Sequence, residues 1–404
     1  MQQVAISWLV YRITGSSLML GVVGFASQIP TFLLAPFAGV LIDRWNKHRI
    51  LIFTQICSML QAFILVFLIA NQSINIYHIV ILNTILGIVN GFDAPTRQSF
   101  VVEMVVNKED LGNAIALNSM MFNSARLIGP SVAGLIIAAS GEVACFLLNG
   151  ISYIAVIIAL LAMKINYKKR VVKKQNIFRG LKEGWNYTFN FKPIRYILFL
   201  IALVSLMGTP YVVLMPVFAK EILKGGAHTL GFLVGAIGVG ALFGAIILAS
   251  RKSVVGLLKV IVRASILFGI TLIVFSFSRN FFLSIILLFI AGFAMMTHMA
   301  SSNTIIQTLV DDDKRGRVMS FYTMAFMGTM PIGSLYSGFM ASEIGAPNTI
   351  IVGGIFCIAG ALFILSKLPH LREIIRPIYK KMGIIPEVAS GIETSSNLRV
   401  PPEG

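Results

Sequence analysis

Of 404 residues, 57% are hydrophobic and only 12% are charged, whereas a soluble domain has roughly a quarter of its residues charged; a soluble enzyme is excluded and a helical membrane protein is the class. The net charge of +17 does not point to nucleic acid, because the basic residues sit in gaps between apolar runs, as cytoplasmic loops of membrane proteins do. Cys57, Cys145 and Cys357 are isolated inside apolar segments, without metal or redox spacing, and read as small core residues.

A helix needs about 20 apolar residues to cross a bilayer core, and the chain offers run after run of that length. A first piece covers Gln2 to Tyr11. Then come Ser17 to Ile42, Ile50 to Ala70, Ile76 to Ala94, Leu111 to Ala139 and Val143 to Met163. A basic stretch, Lys164 to Lys192, leads to Ile194 to Ala219, Leu230 to Ala249, Leu257 to Phe277, Phe281 to Asn303, Val318 to Ala341 and Thr349 to Leu368. The tail beyond is charged, contains proline and is expected to be exposed. Every second gap is basic: 43–49, 97–108, 164–192, 251–263, 314–317 and the tail. The gaps between them are short and poorer in positive charge, so the basic gaps and the C-terminus are expected in the cytoplasm.

An internal repeat fits this layout. "NAIALNSMMFNSARLIGPSVAGLIIAASGE", from Asn113, aligns with "GRVMSFYTMAFMGTMPIGSLYSGFMASEIGA", from Gly316. Phe122 matches Phe326, Gly129 matches Gly333, Gly134 matches Gly338 and Gly141 matches Gly345, at constant separation. Gly21 likewise corresponds to Gly231. Two similar halves joined by a basic loop suggest a duplicated transporter. The stretch "MQQVAISWLVY" spans roughly 15 Å at 1.5 Å per residue, about half a bilayer core. The chain is therefore expected to begin in the middle of its first helix, and the stretch lacks the basic n-region and cleavage site of a signal peptide.

Gly39, Asp43, Arg44, Lys47, His48 and Arg49 form a glycine–x3–Asp-Arg–basic pattern that resembles the cytoplasmic signature between helices two and three of the major facilitator superfamily. "PFAGVLIDRWNKHRILIFTQ", "FDAPTRQSFVVEMV", "NAIALNS", "ARLIGPSVAGL" and "GRVMSFYTMAFMGTMPIGS" resemble the bacterial branch that includes enterobactin exporters and macrolide-efflux-like proteins. The resemblance runs from about Val4 to Leu368. It implies an all-α membrane protein with the major facilitator fold. Its two six-helix halves would be residues 1–163 and 193–368, with a basic linker at 164–192, a cytoplasmic tail at 369–404, an incomplete first helix, and alternating access to a central cavity.

The resemblance also implies roles. The 39–49 loop would latch the outward-facing state, with Gly39, Asp43, Arg44, Lys47, Asp93 and Arg97 as its parts. Asp43 would lie near the positive N-terminal end of a helix starting at Gly316–Val318, a contact of about 0.3–1 kcal/mol, and Lys47 or Arg44 would pair with Asp93. Asn46 stands where the family usually has Gly; Asn tolerates a left-handed turn, so the turn is expected to survive. "ARLIGPSVAGL" resembles the helix-five signature of antiporters. Gly129 and Gly134 permit close helix approach and Pro130 bends the helix, which makes a pivot or simply a packing site. This stretch favours export over uptake.

Charges inside the membrane are few. All sixteen acidic residues fall in gaps or at the ends of the visible spans. Two ionisable side chains lie deep. Arg126 would bind an anionic or catecholate-like substrate, or pair with backbone carbonyls; His298 would carry a proton, or pack as a hydrogen-bonded histidine. Asn83, Asn123, Asn303 and Gln307 complete the candidate substrate and proton set. Many family members carry an Arg in helix four for proton handling, and the corresponding region here has only Asn83. No phosphate-binding loop, catalytic constellation or metal cluster appears, so the reading is not an enzyme and no cofactor is expected. The expected function is proton-coupled export of a small amphipathic compound, a siderophore or a drug. The expected partners are that substrate, the bilayer and the proton gradient, without nucleic acid, and the chain is expected to act as a monomer in the bacterial cytoplasmic membrane. A truncated or regulatory homologue that binds ligand without transport is the alternative.

Overall fold

The computed structural model describes residues 1–42, 45–105, 110–163, 185–251 and 253–381, apart from some side chains within helices. Every membrane-length element among them is helical. The chain runs through α1 (Gln2–Thr14), α2 (Ser17–Ile42), α3 (Lys47–Ala70), α4 (Ile76–Met104) and α5 (Leu111–Ala162). It continues with α6 (Lys192–Ile222), α7 (Ala227–Ala249), α8 (Leu257–Phe277), α9 (Phe281–Leu309), α10 (Asp312–Met327), α11 (Thr329–Ile344) and α12 (Ala346–Lys381). Among the described residues, nine stretches are long and apolar enough to cross a membrane. Large apolar side chains cover their outer surface: Tyr77 and Phe282 are each 75% exposed and Phe67 is 64% exposed. Water would not tolerate such a surface and lipid does; the chain is a multi-pass membrane protein.

Local chemistry sets where the helices start and bend. Gly15, at φ 59°, ends α1 in the left-handed conformation that glycine adopts without strain, its N–H bonding the Tyr11 carbonyl. The side-chain oxygens of Asn75 and Asn280 accept backbone N–H bonds at the first turns of α4 and α9. Asn46 does the same for α3, accepting from the Arg49 N–H at 3.2 Å. Its φ of −72° is extended, so the left-handed turn expected there is replaced by an N-cap. Within α5 the expected break appears as a single non-helical residue, Gly141. The aligned Gly345 shares its conformation, with φ 84° against 77°. α6 loosens into π and 3-10 turns between Val204 and Ile222, around Pro210 and Pro216, which have no N–H to give to a helical ladder. The expected eleventh span is divided at Gly328, where Pro331 cannot donate to the Met327 carbonyl.

Two boundaries correct the sequence reading. α4 does not stop at Ala94 but passes through Pro95 to Met104, so Asp93 lies well inside a helix rather than at its end. α10 begins at Asp312 with Asp311 as its cap, ahead of the Gly316–Val318 start expected for it. Its positive end therefore already carries a run of aspartates, the charge that a helix N-terminus favours.

α2 packs against α4 and α11, and α7 packs against α9 and α5. Because α2 aligns with α7 and α5 with α11 in the repeat, these are corresponding partners. α3 packs on α5, and α8 on α9 and α12. One end of the bundle carries Thr14, Gly141, Ile222 and Gly345; the other carries the described parts of the basic gaps, among them Lys47, Lys192, Arg251 and Lys314.

Candidate transport pathway

Close backbone crossings lie toward the basic-poor end. A Cβ on Gly134 would stand 2.7 Å from the Gly231 Cα and 2.7 Å from the Ala227 carbonyl; one on Gly231 would meet the Gly134 Cα and the Pro130 carbonyl at 2.8 Å each. The α2–α11 crossing repeats this atom for atom. Gly21 faces the Ser334 carbonyl (2.6 Å) and the Gly338 Cα (2.9 Å), and Gly338 faces the Gly21 Cα (2.7 Å) and the Ser17 carbonyl (2.8 Å). In each case the touching carbonyl lies four residues before the facing glycine. Of the expected pivot residues, Gly134 and the Pro130 carbonyl are in such a crossing, whereas a Cβ on Gly129 would meet nothing nearer than 3.6 Å, at the Met1 nitrogen.

Polar contacts join the same end. Arg12, in the last turn of α1, donates to Glu142 beside the α5 bend at 2.7 Å. The neighbouring Tyr11 points the other way: its hydroxyl donates to Glu221 of α6 at 3.3 Å, and the Lys220 ammonium sits 5.4 Å from its ring centroid. Successive residues of α1 thus hold α5 on one side and α6 on the other. Beside Tyr11 lies a cavity of about 400 Å³, lined also by Ser16, Ser17, Val217, Ser342 and Ala346. These contacts were not anticipated from the sequence, because Glu142 and Glu221 read there only as acidic residues in gaps or at span ends.

At the basic end, Asp93 is 6% exposed. It accepts from Thr54 Oγ1 at 2.9 Å and from Gln55 Nε2 at 2.7 Å, and it pairs with Arg97 one turn along α4. An ionised carboxylate within a membrane helix is costly unless surrounded by such donors. Thr54, Gln55, Ser58 and Gln61 are all buried, forming a polar stripe on α3. It continues through Gln61 to Gln2 at 2.6 Å, and Asn149 donates to Gln2 at 2.6 Å. Polar residues at helical spacing in an otherwise oily segment were the available signal for this stripe. Lys47 is 8% exposed in the first turn of α3, and Gly39 is in the last turn of α2. Asp43 and Arg44 lie outside the described residues. In the other half, the Tyr187 hydroxyl donates to Asp311 at 3.5 Å and Lys314 sits over its ring at 4.6 Å; burial, reinforced by the Asp311 carboxylate, raises the pKa of this phenol above its ordinary value.

The deep candidates separate. The side chains of Arg126 and Asn123 lie outside the described residues. Asn83 is buried and donates to the Ile79 carbonyl one turn back at 2.8 Å, which satisfies one of its N–H groups locally. Gln307 donates to Asn303 at 3.0 Å on a half-buried face of α9. His298 is on another face, about 140° from Asn303 at 100° per residue, and is 1% exposed. Ser265 Oγ of α8 is 2.9 Å from the Ile261 carbonyl and 2.8 Å from His298 Nδ1, and which of the two receives its proton follows from the tautomer of the ring. His298 Nε2 is buried without a hydrogen-bond partner, as are the neighbouring hydroxyls of Thr297 and Ser301.

The family model described as transmembrane secretion effector matches residues 1–393; the chain belongs to this family, within the major facilitator superfamily. It is a membrane transporter by family. It is 27% identical to the staphyloferrin A transporter of Staphylococcus aureus over 92% of this chain and 93% of that protein. It is 22% identical to macrolide efflux protein A of Streptococcus pyogenes over 88% of this chain and 89% of the other. Among solved structures, the D-xylose-proton symporter superposes with a TM-score of 0.70, covering 90% of this chain and 93% of that one at 14% identity, a likeness of fold.

Proposed function

We propose that the protein is a secondary active exporter of a small amphipathic compound, a siderophore or a drug, working by alternating access and driven by the proton gradient. The observation that carries this reading is the twin crossing, Gly134–Gly231 and Gly21–Gly338, which supports two six-helix halves at 1–163 and 193–368 meeting at two equivalent contacts. The names of the two relatives support the substrate class. The positive-inside rule puts the basic end, the linker 164–192 and the tail 369–404 in the cytoplasm of a bacterial inner membrane. The basic-poor end, toward which the crossings and the Tyr11–Glu221 contact lie, is then the outer side.

Gly39, Asp43, Arg44, Lys47, Asp93 and Arg97 form the inner latch, in which Asp93 is the buried anion. Gly129, Pro130 and Gly134 form the pivot. Arg126, Asn123, Asn303 and Gln307 contact substrate, with Asn83 behind them. His298 is the proton site: its bare Nε2 accepts a proton, and because that ring does not share the Asn303–Gln307 face, proton and substrate communicate through movement of α9 rather than by contact. The protein acts as a monomer.

The test is cellular accumulation of a catechol siderophore and of a macrolide, with and without the gene. Lower accumulation of either in expressing cells is expected; equal accumulation of both, with the protein present in the membrane, overturns export. His298→Ala is expected to abolish efflux driven by an imposed pH gradient, and unchanged efflux removes its proton role.

A further inference from the structure

The seam between α6 and α12 at the basic end is built in two layers. Phe199 is 49% exposed and Phe363 is 45% exposed; their rings stand 6.2 Å apart, edge to face, and Tyr196 meets Phe363 at 6.0 Å. These rings form an apolar layer open to lipid. Four to seven residues further along each helix, roughly 6–10 Å at 1.5 Å each, come the cations. On α6 these are Lys192 and Arg195, the latter with its guanidinium 5.5 Å from the Tyr196 ring centroid. On α12 they are Lys367, 6.0 Å from the Phe363 ring centroid, and His370. The two helices meet here, with the Lys192 ammonium 3.4 Å from His370 Nε2. Among the described residues one carboxylate faces the group: Glu373, its side chain 80% exposed, lies 3.8 Å from His370 Nδ1.

We propose that this seam is a binding site for an anionic phospholipid, phosphatidylglycerol or cardiolipin, of the leaflet at that end. Three cations on the two helices that meet at this seam leave a net positive charge that one exposed glutamate does not neutralise. A phosphate seated among Lys192, Arg195 and Lys367 neutralises it through charge-assisted hydrogen bonds. The spacing fits a lipid rather than a free anion: the ring layer sits below the charge layer by about the distance that separates a headgroup from the start of its acyl chains, so one molecule satisfies both. Basic pockets between helices at a membrane surface are suited to such headgroups. The site is separate from the transport pathway and does not depend on what is carried.

The test is native mass spectrometry of the full chain, released from micelles after equilibration with phosphatidylglycerol, cardiolipin or phosphatidylcholine. Retained adducts of an anionic lipid, and not of phosphatidylcholine, are expected for the wild type. They are expected to fall at least tenfold in the Lys192→Ala/Arg195→Ala/Lys367→Ala variant and to persist in Arg251→Ala/Lys259→Ala, which removes positive charge elsewhere at the same end. Should the triple variant fold poorly, Arg195→Glu alone is expected to weaken retention and Lys192→Arg to preserve it. Equal retention by wild type and the charge-removed variants overturns the site. Displacement of the lipid by millimolar inorganic phosphate also overturns it, marking the group as a soluble-anion site instead.

Discussion

Gly134 and Gly231 stand where a side chain has no room. The nearest atoms to a Cβ at either position are backbone, at 2.7–2.8 Å, and backbone cannot swing aside as a flexible side chain would. Gly231→Val is expected to open the α5–α7 crossing at a cost of about 1–3 kcal/mol, the usual penalty of overpacking. Export should fall sharply while the protein remains in the membrane, as read by accumulation assay and immunoblot; full activity in this variant would deny the crossing a role. Asp93 is the second sensitive residue. Replacing it with Asn keeps the shape but removes the charge to which Thr54, Gln55 and Arg97 are directed. Hydrogen bonds to charged groups are worth about 1.5–3 kcal/mol each, so Asp93→Asn is expected to lower the detergent-solubilised Tm and to impair export, with Asp93→Glu intermediate.

At the scale of elements, α1 acts as a rivet between α5 and α6. Arg12 grips Glu142 while Tyr11 reaches Glu221 and Lys220, so this end opens only if one grip is released. The Tyr11–Glu221 contact is the one expected to part, since Glu221 lies in the region of α6 already loosened into a π turn. A single hydrogen bond contributes about 1 kcal/mol net, which corresponds to about a fivefold change in the open-to-closed ratio. Tyr11→Phe and Glu221→Gln are each expected to raise maleimide labelling of Ala341→Cys, a buried wall of the neighbouring cavity, by roughly that factor; an unchanged labelling rate would mean that the contact does not restrain opening.

For the whole molecule, the decisive property is whether the basic-poor end must open for transport. The Cβ that a side chain would place on Gly24 lies 3.2 Å from the Ser334 Cβ, close to the separation across a disulfide. The pair Gly24→Cys with Ser334→Cys is therefore expected to crosslink α2 to α11 under mild oxidation, to stop export, and to recover on reduction, while each single variant continues to transport. Transport by the crosslinked protein would exclude movement at this crossing.

Much of this architecture was legible in the residues. The class of protein follows from composition alone, because runs of apolar side chains have no stable place except lipid. The repeat from Asn113 and Gly316 pairs Gly134 with Gly338, each of which touches a glycine of the other corresponding pair, Gly231 and Gly21, and it pairs Gly141 with Gly345, which share a backbone conformation. The buried position of Asp93 was not legible, because hydropathy falls at a charged residue whether the helix ends there or continues, and only the donors on α3 make continuation affordable. The Tyr11–Glu221 contact joins residues far apart in the chain, and no local pattern encodes which distant helix a side chain will face. Hydropathy, capping and repeat are local or periodic properties and so belong to the sequence; which side of α9 receives His298, and which pair of helices closes the bundle, were decided by tertiary packing, where backbone approach at a few glycines sets the angle of everything else.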